Sequence, residues 1–199
     1  MHKLILKPGR EKSLKRRHPW IFSGGIDRIE GKPQSGEAVE VHSAGGEFLA
    51  VAAYSPQSQI RARVWNWAVQ DIDAAFIAQR ITRAAAGRSA LQLADVTDGV
   101  RLVHGESDGL PGIVADRYGD TVVVQLLSTG AERWRDAIAD ALVGLPGVAR
   151  VIERSDADVR ALDWIADADT GGSLITARVH DATLCFALAP PGDHWVANA

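Results

Sequence analysis

The residues best suited to chemistry lie near the start: Arg10-Glu11-Lys12-Ser13-Leu14-Lys15-Arg16-Arg17-His18-Pro19-Trp20. Five cations, Arg10, Lys12, Lys15, Arg16 and Arg17, fall within eight residues with a single acid among them, and His18 and Trp20 follow. Clustered Lys and Arg bind polyanions because each neutralised phosphate releases condensed counterions. An adjacent indole can stack on an exposed base or fill a core, and Ile21-Phe22 behind it leave both uses open for Trp20. The bland alternative for the basic run is a solvated surface. A second basic feature, Ile60-Arg61-Ala62-Arg63-Val64, puts Arg61 and Arg63 on one face of a strand and the apolar residues on the other. Tyr54, just upstream in Tyr54-Ser55-Pro56, offers a hydroxyl or merely a turn.

Charge supports the same reading. The net charge is −3, yet residues 1–67 hold eleven Lys and Arg against six Asp and Glu, while the remainder holds eleven against nineteen. Such a split marks the first third as the part that meets a polyanion.

Other constellations are weaker. His104-Gly105-Glu106-Ser107-Asp108-Gly109-Leu110-Pro111-Gly112 gathers His, Glu, Ser and Asp, and residues 105–109 match the Gly-x-Ser-x-Gly elbow of hydrolases. Pro111 interrupts the helix such an elbow requires, so a structural turn is the preferred reading. No second histidine or thiolate stands at ligand spacing, so no metal is expected. Cys185 is the one cysteine, which excludes an internal disulfide and fits a reducing cytoplasm. No Lys or Arg lies within five residues of it to activate the thiol.

The elements that must position these residues follow from periodicity. At 199 residues, 46% hydrophobic and 24% charged, the chain can bury a core without staples. Residues 3–7, 36–41, 48–54 and 60–65 read as short strands, with Ser43-Ala44-Gly45-Gly46 as a hairpin turn and residues 10–17 as a short basic helix. Asp71-Ile72-Asp73 can cap a helix carrying Phe76, Ile77, Ile81 and Ala84, weakened at Gly87-Arg88-Ser89. Strands follow over 100–103, 112–117, 121–127 and 148–152, with helices over 132–143 and 156–162. A hairpin over 174–179 and 183–188 turns at His180-Asp181-Ala182. Its apolar row, Leu184, Phe186 and Leu188, would need a covering partner. No stretch approaches the roughly 20 apolar residues of a membrane span, and no signal-peptide core is present.

With these residues in view, a family resemblance emerges. Residues 7–24, Lys7-Pro8-Gly9 through Trp20-Ile21-Phe22-Ser23-Gly24, closely resemble the opening of a bacterial family of SAM-dependent methyltransferases that modify a cytosine of large-subunit (23S) ribosomal RNA. The similarity continues through 53–65, 105–112, 116–119, 125–128, 153–156 and 159–160. It implies an α+β chain: a PUA-like β pseudo-barrel over 1–68 that docks on structured RNA, a small α/β linker domain over 69–170, and a β-hairpin with its tail over 171–199. In that family a glycine-rich SAM loop, an Asp-Pro-Pro motif and a catalytic cysteine come next. Pro190-Pro191-Gly192-Asp193-His194-Trp195 does not match them. No catalytic residue and no cofactor-binding residue is therefore carried over, although S-adenosylmethionine is the family's cofactor. The expectation is an RNA-binding portion, truncated before the catalytic domain and inactive alone, meeting structured RNA, foremost ribosomal RNA, in the cytoplasm. Its contacts would be Arg10, Lys12, Lys15, Arg16, Arg17, His18, Trp20, Tyr54, Arg61 and Arg63. The alternative is one half of a split methyltransferase whose partner chain brings the SAM domain. A homodimer or partner chain would meet the terminal hairpin.

Overall fold

The structure, a computed structural model, describes residues 1–93 and 96–155 and, by backbone alone, the strands within 173–179, 182–188 and 196–198. The first third forms β1 (His2–Leu6), α1 (Lys12–Lys15), β2 (Trp20–Phe22), β3 (Ile26–Glu30), β4 (Ala38–His42), β5 (Phe48–Tyr54) and β6 (Ile60–Asn66). These strands make one curled sheet in the order β2-β6-β5-β4-β1-β3. All neighbours are antiparallel except β1 and β4, which run parallel. Period-two patterning sends one row of each strand inward, so Leu4, Leu6, Val39, Val41, Ala62 and Val64 meet in a single half-barrel core. Leu14 of α1 drops into the same core and pins the helix to the barrel.

Two short strands, β2 and β3, were not expected from periodicity. The basic helix is also shorter than residues 10–17. Gly9 (φ 81°) turns the chain ahead of it and Arg17 (φ 65°) turns it just after, in the left-handed region that non-glycine residues rarely adopt.

The second part runs α2 (Ala74–Ser89), β7 (Gly99–His104), β8 (Ile113–Tyr118), β9 (Thr121–Leu126), α3 (Thr129–Arg133), α4 (Arg135–Val143) and β10 (Arg150–Glu153). Asp73 caps α2 by accepting the Phe76 N–H at 2.7 Å. Gly87 does not stop the helix. The helix expected over 132–143 begins earlier and breaks at Trp134 (φ −105°, ψ 17°) into α3 and α4. The sheet order is β10-β9-β8-β7, a meander with β10 added in parallel. Phe76, Ile77, Ile81, Leu102, Ile113, Val124, Ile138 and Leu142 fill the space between this sheet and α2 and α4. Ile77 and Ile81 are fully buried, each stabilising by about 1.5–3 kcal/mol through removal from water.

The two cores touch. Ala53 and Trp65, from the outer faces of β5 and β6, belong to the second cluster and not to the barrel interior. Ser55 Oγ and Thr129 Oγ1 are hydrogen-bonded at 2.8 Å in the buried seam. Gly130 lies where a Cβ would run into the Ala53 methyl and stand 3.1 Å from Trp65 Nε1, so this close approach requires glycine.

The terminal hairpin pairs β11 (Ser173–Val179) with β12 (Ala182–Leu188), and β13 (Val196–Asn198), which was not expected, adds to β12. The helix expected over 156–162, the turn at 180–181 and the side chains of Leu184, Cys185, Phe186 and Leu188 lie outside the described residues. Among the described residues no helix is long and apolar enough to cross a membrane.

Candidate nucleic-acid interface

Because Leu14 faces inward, a one-turn helix has no choice but to turn its remaining side chains to water. Arg10, Lys12, Lys15, Arg16, Arg17 and His18 are all exposed and share this end of the barrel. Three of them are partly engaged, His18 by accepting the Trp20 backbone N–H on Nδ1 at 3.3 Å. Lys15 Nζ lies 2.7 Å from Glu47 Oε2, and that hydrogen bond and charge raise the ammonium pKa. The Arg17 guanidinium lies over the Trp67 ring, 4.9 Å from its centroid. Among the described residues, Arg10, Lys12 and Arg16 have no carboxylate within ion-pair distance. An open cationic ridge results, and not a set of internal pairs.

Beside the ridge, β2 is an edge strand whose outward row is aromatic. Trp20 is 37% exposed and Phe22 51%, so Trp20 is not a core residue. Their rings meet edge to face at 6.4 Å, and the His18 ring meets Trp20 edge-on at 5.8 Å from the other side. Register places Trp20 opposite Arg63 of β6. Arg63 Nη1 is buried with no hydrogen-bond partner, and its Nε stands 4.0 Å from Glu106 Oε1. The same carboxylate oxygen accepts the Trp20 indole N–H at 2.8 Å. Between α1 and β2 lies a cavity of about 250 Å³, floored by Leu6, Leu14 and Ile21 and rimmed by Arg10, Ser13, Trp20 and Phe22.

Two expected contacts stand apart. Tyr54 faces Ala62 across the β5–β6 pair and its ring packs against the barrel core. It is therefore on the opposite sheet face from Arg61 and Arg63. Arg61 bonds the Pro56 carbonyl through Nη1, and its Nε is buried without a partner. It lines a separate hollow with Ser23, Ile26 and Arg28.

Glu106 and Phe22 were not among the contacts expected from the sequence. Glu106 sits in the turn expected to be structural, and most of that turn is. Asp108 accepts Arg88 through both oxygens, at 2.8 and 2.6 Å, and the His104 backbone N–H at 2.6 Å. The His104 ring instead lies by Arg101, Nδ1 to Nη1 3.4 Å. A Ser-His-Asp relay needs the acid on the imidazole, so the hydrolase reading of Ser107 is overturned.

The described residues do not fit S-adenosylmethionine. Nucleotide-type sites sit beyond the carboxyl ends of parallel strands, at a helix N-terminus left open to the ligand. Here the helix following β9 is α3, whose first residues are buried against the barrel: Thr129 and Gly130 occupy the seam, and Ser128 Oγ caps the Ala131 N–H at 3.2 Å.

Comparison with known proteins agrees with the architecture. Residues 4–67 match the model of the PUA-like domain family. Ribosomal RNA large subunit methyltransferase I of Shewanella denitrificans is 50% identical over 167 residues, which is 82% of this chain and 42% of that protein. The protein of the same name from Vibrio vulnificus strain CMCP6 is 53% identical over 164 residues, 82% of this chain and 41% of that one. The chain thus spans about two fifths of the length of these curated relatives. Among solved structures, a protein described as a SAM-dependent methyltransferase from Streptococcus mutans superposes with a TM-score of 0.74 at 18% identity. That match covers 99% of this chain and 50% of the other. A second protein, described as a methyltransferase and solved with SAH, gives 0.75 at 18% identity, covering 98% and 50%. These likenesses establish the fold.

Proposed function

We propose that this chain, which carries a PUA-like domain and is homologous to the N-terminal part of large-subunit rRNA methyltransferases, binds structured RNA through the cationic end of its half-barrel. By kinship the RNA is ribosomal and the setting cytoplasmic. Residues 1–68 are the RNA-docking unit, residues 69–170 the α/β unit that carries it, and residues 171–199 the hairpin that leads away. Methyl transfer from S-adenosylmethionine to a cytosine belongs, in this reading, to the part of the relatives' length that these residues do not span. The task of this chain is to bring the RNA to that chemistry.

One observation carries the reading: Lys12 on the pinned helix and Arg10 and Arg16 flanking it have no carboxylate within ion-pair distance among the described residues. Unpaired cations can neutralise phosphates without first breaking an internal ion pair, and the released counterions drive association. Arg17, Lys15 and Arg63 add to the same field.

The test is a titration of a large-subunit rRNA stem-loop, followed by fluorescence anisotropy between 50 and 200 mM salt. About five phosphate contacts should weaken binding on the order of 10²- to 10³-fold over that range. Affinity indifferent to salt would sink the electrostatic interface.

A further inference from the structure

The proposed RNA interface has a feature that counterion release does not explain. A basic ridge alone would track any backbone, yet beside it two exposed aromatic rings border a cavity with an apolar floor. We infer that the cavity between α1 and β2 receives the base of one unpaired nucleotide, stacked on Trp20, and that Glu106 of the second unit is the positioning residue that sets the indole. The inference rests on the RNA-binding reading and narrows it to a class of RNA.

Shape and charge argue for this occupant. At about 250 Å³ the cavity is several times the roughly 30 Å³ share of a water molecule, enough for a planar ring. Leu6, Leu14 and Ile21 offer apolar contact, while Arg10 on the rim can meet the phosphate attached to that base. A base inside a duplex has its faces covered by its neighbours, so only an extruded or single-stranded one can stack on a side chain.

Glu106 contributes in a way a simple ion pair would not. Its carboxylate holds the indole N–H at 2.8 Å, and His18 and Phe22 abut the ring edgewise. The ring plane is therefore fixed before any ligand arrives, so less side-chain freedom is lost on stacking. The same oxygen faces Arg63, whose buried Nη1 lacks a partner, and this keeps the carboxylate in place. Removing the acid leaves the guanidinium and frees the indole.

The experiment compares three RNA stems: fully paired, with a single-nucleotide bulge, and with the same bulge made abasic. The 199-residue chain should bind the bulged stem about tenfold more tightly than the abasic one. Trp20→Ala and Phe22→Ala should bind the bulged and abasic stems alike, with circular dichroism confirming that each variant folds. Glu106→Gln keeps an acceptor oxygen and should keep the preference, whereas Glu106→Ala should reduce it to about threefold or less. Equal binding of bulged and abasic stems by the unaltered chain, or an undiminished preference in Trp20→Ala, overturns the base pocket but leaves RNA binding standing. Full discrimination by Glu106→Ala overturns the positioning role. No binding of any stem overturns the RNA reading itself.

Discussion

The cationic end of the barrel and the second unit use the same residue type in opposite ways. At that end of the barrel, Arg10 and Arg16 flank a one-turn helix with no carboxylate within ion-pair distance among the described residues, and Arg17 lies on an indole. In the second unit, arginines tie elements together. Arg88 clamps Asp108, Arg101 pairs with Asp116 at 2.8 Å, and Arg117 donates to the carbonyls of Gly119, Pro146 and Gly147. Arg135 bridges Glu132 and Glu153. Planar five-donor groups suit both purposes, and what decides is whether the fold supplies an acceptor. The contrast shows that a count of basic residues says little about binding until their partners are known. Even Arg80, half-buried over the Phe76 ring, has its pKa lowered by burial and by Arg83, and its Nη2 reaches Asn66 Oδ1 at 3.3 Å.

Substitutions in the two regions should therefore fail differently. The largest effect expected is on Asp108→Ala, which strands a mostly buried guanidinium and the His104 N–H. Stability should fall by about 3 kcal/mol, read from denaturant melts, with the salt dependence of RNA binding by the folded protein unchanged. Gly130→Ala comes next: forcing a methyl group against Ala53 and Trp65 should cost about 2 kcal/mol and loosen the seam between the units. Combined Arg16→Ala and Arg17→Ala should do the reverse. RNA affinity should drop about tenfold, equivalent to 1.4 kcal/mol, and the salt dependence should flatten, while stability shifts by less than about 1 kcal/mol. Should that pair of changes unfold the protein and spare binding, the comparison would be broken. The smallest effect belongs to Arg17→Gly. Relief of the left-handed backbone should offset the lost ring contact, leaving stability within about 1 kcal/mol while affinity still declines.

Local patterns made part of this legible in advance. Phe48–Tyr54 and the alternation Ile60-Arg61-Ala62-Arg63-Val64 announced strands with the right faces, since side-chain direction in a strand depends only on period two. The basic ridge was legible for a different reason: Leu14 is the lone apolar residue among 10–17, so the cations around it face water. Strands β2 and β3 escaped notice because a three-residue strand and the mixed Ile26-Asp27-Arg28-Ile29-Glu30 carry too little alternation. Glu106 escaped for a different cause. Its partner Trp20 is 86 positions away, and only the packing of one unit on the other brings them together. Tyr54 looked like a companion of the nearby arginines, but the register opposite Ala62 turns it to the other side of the sheet.

The parallel pairing of β1 with β4 has an outcome for how the chain matures. Residues 2–6 occupy an interior lane of the sheet, flanked by β3 on one side and β4 on the other. The lane cannot be completed until synthesis has reached residue 42, and no hairpin can shortcut a parallel match. Loss of residues 2–6 would remove the strand that joins β3 to β4 and leave both with an unpaired edge prone to self-association.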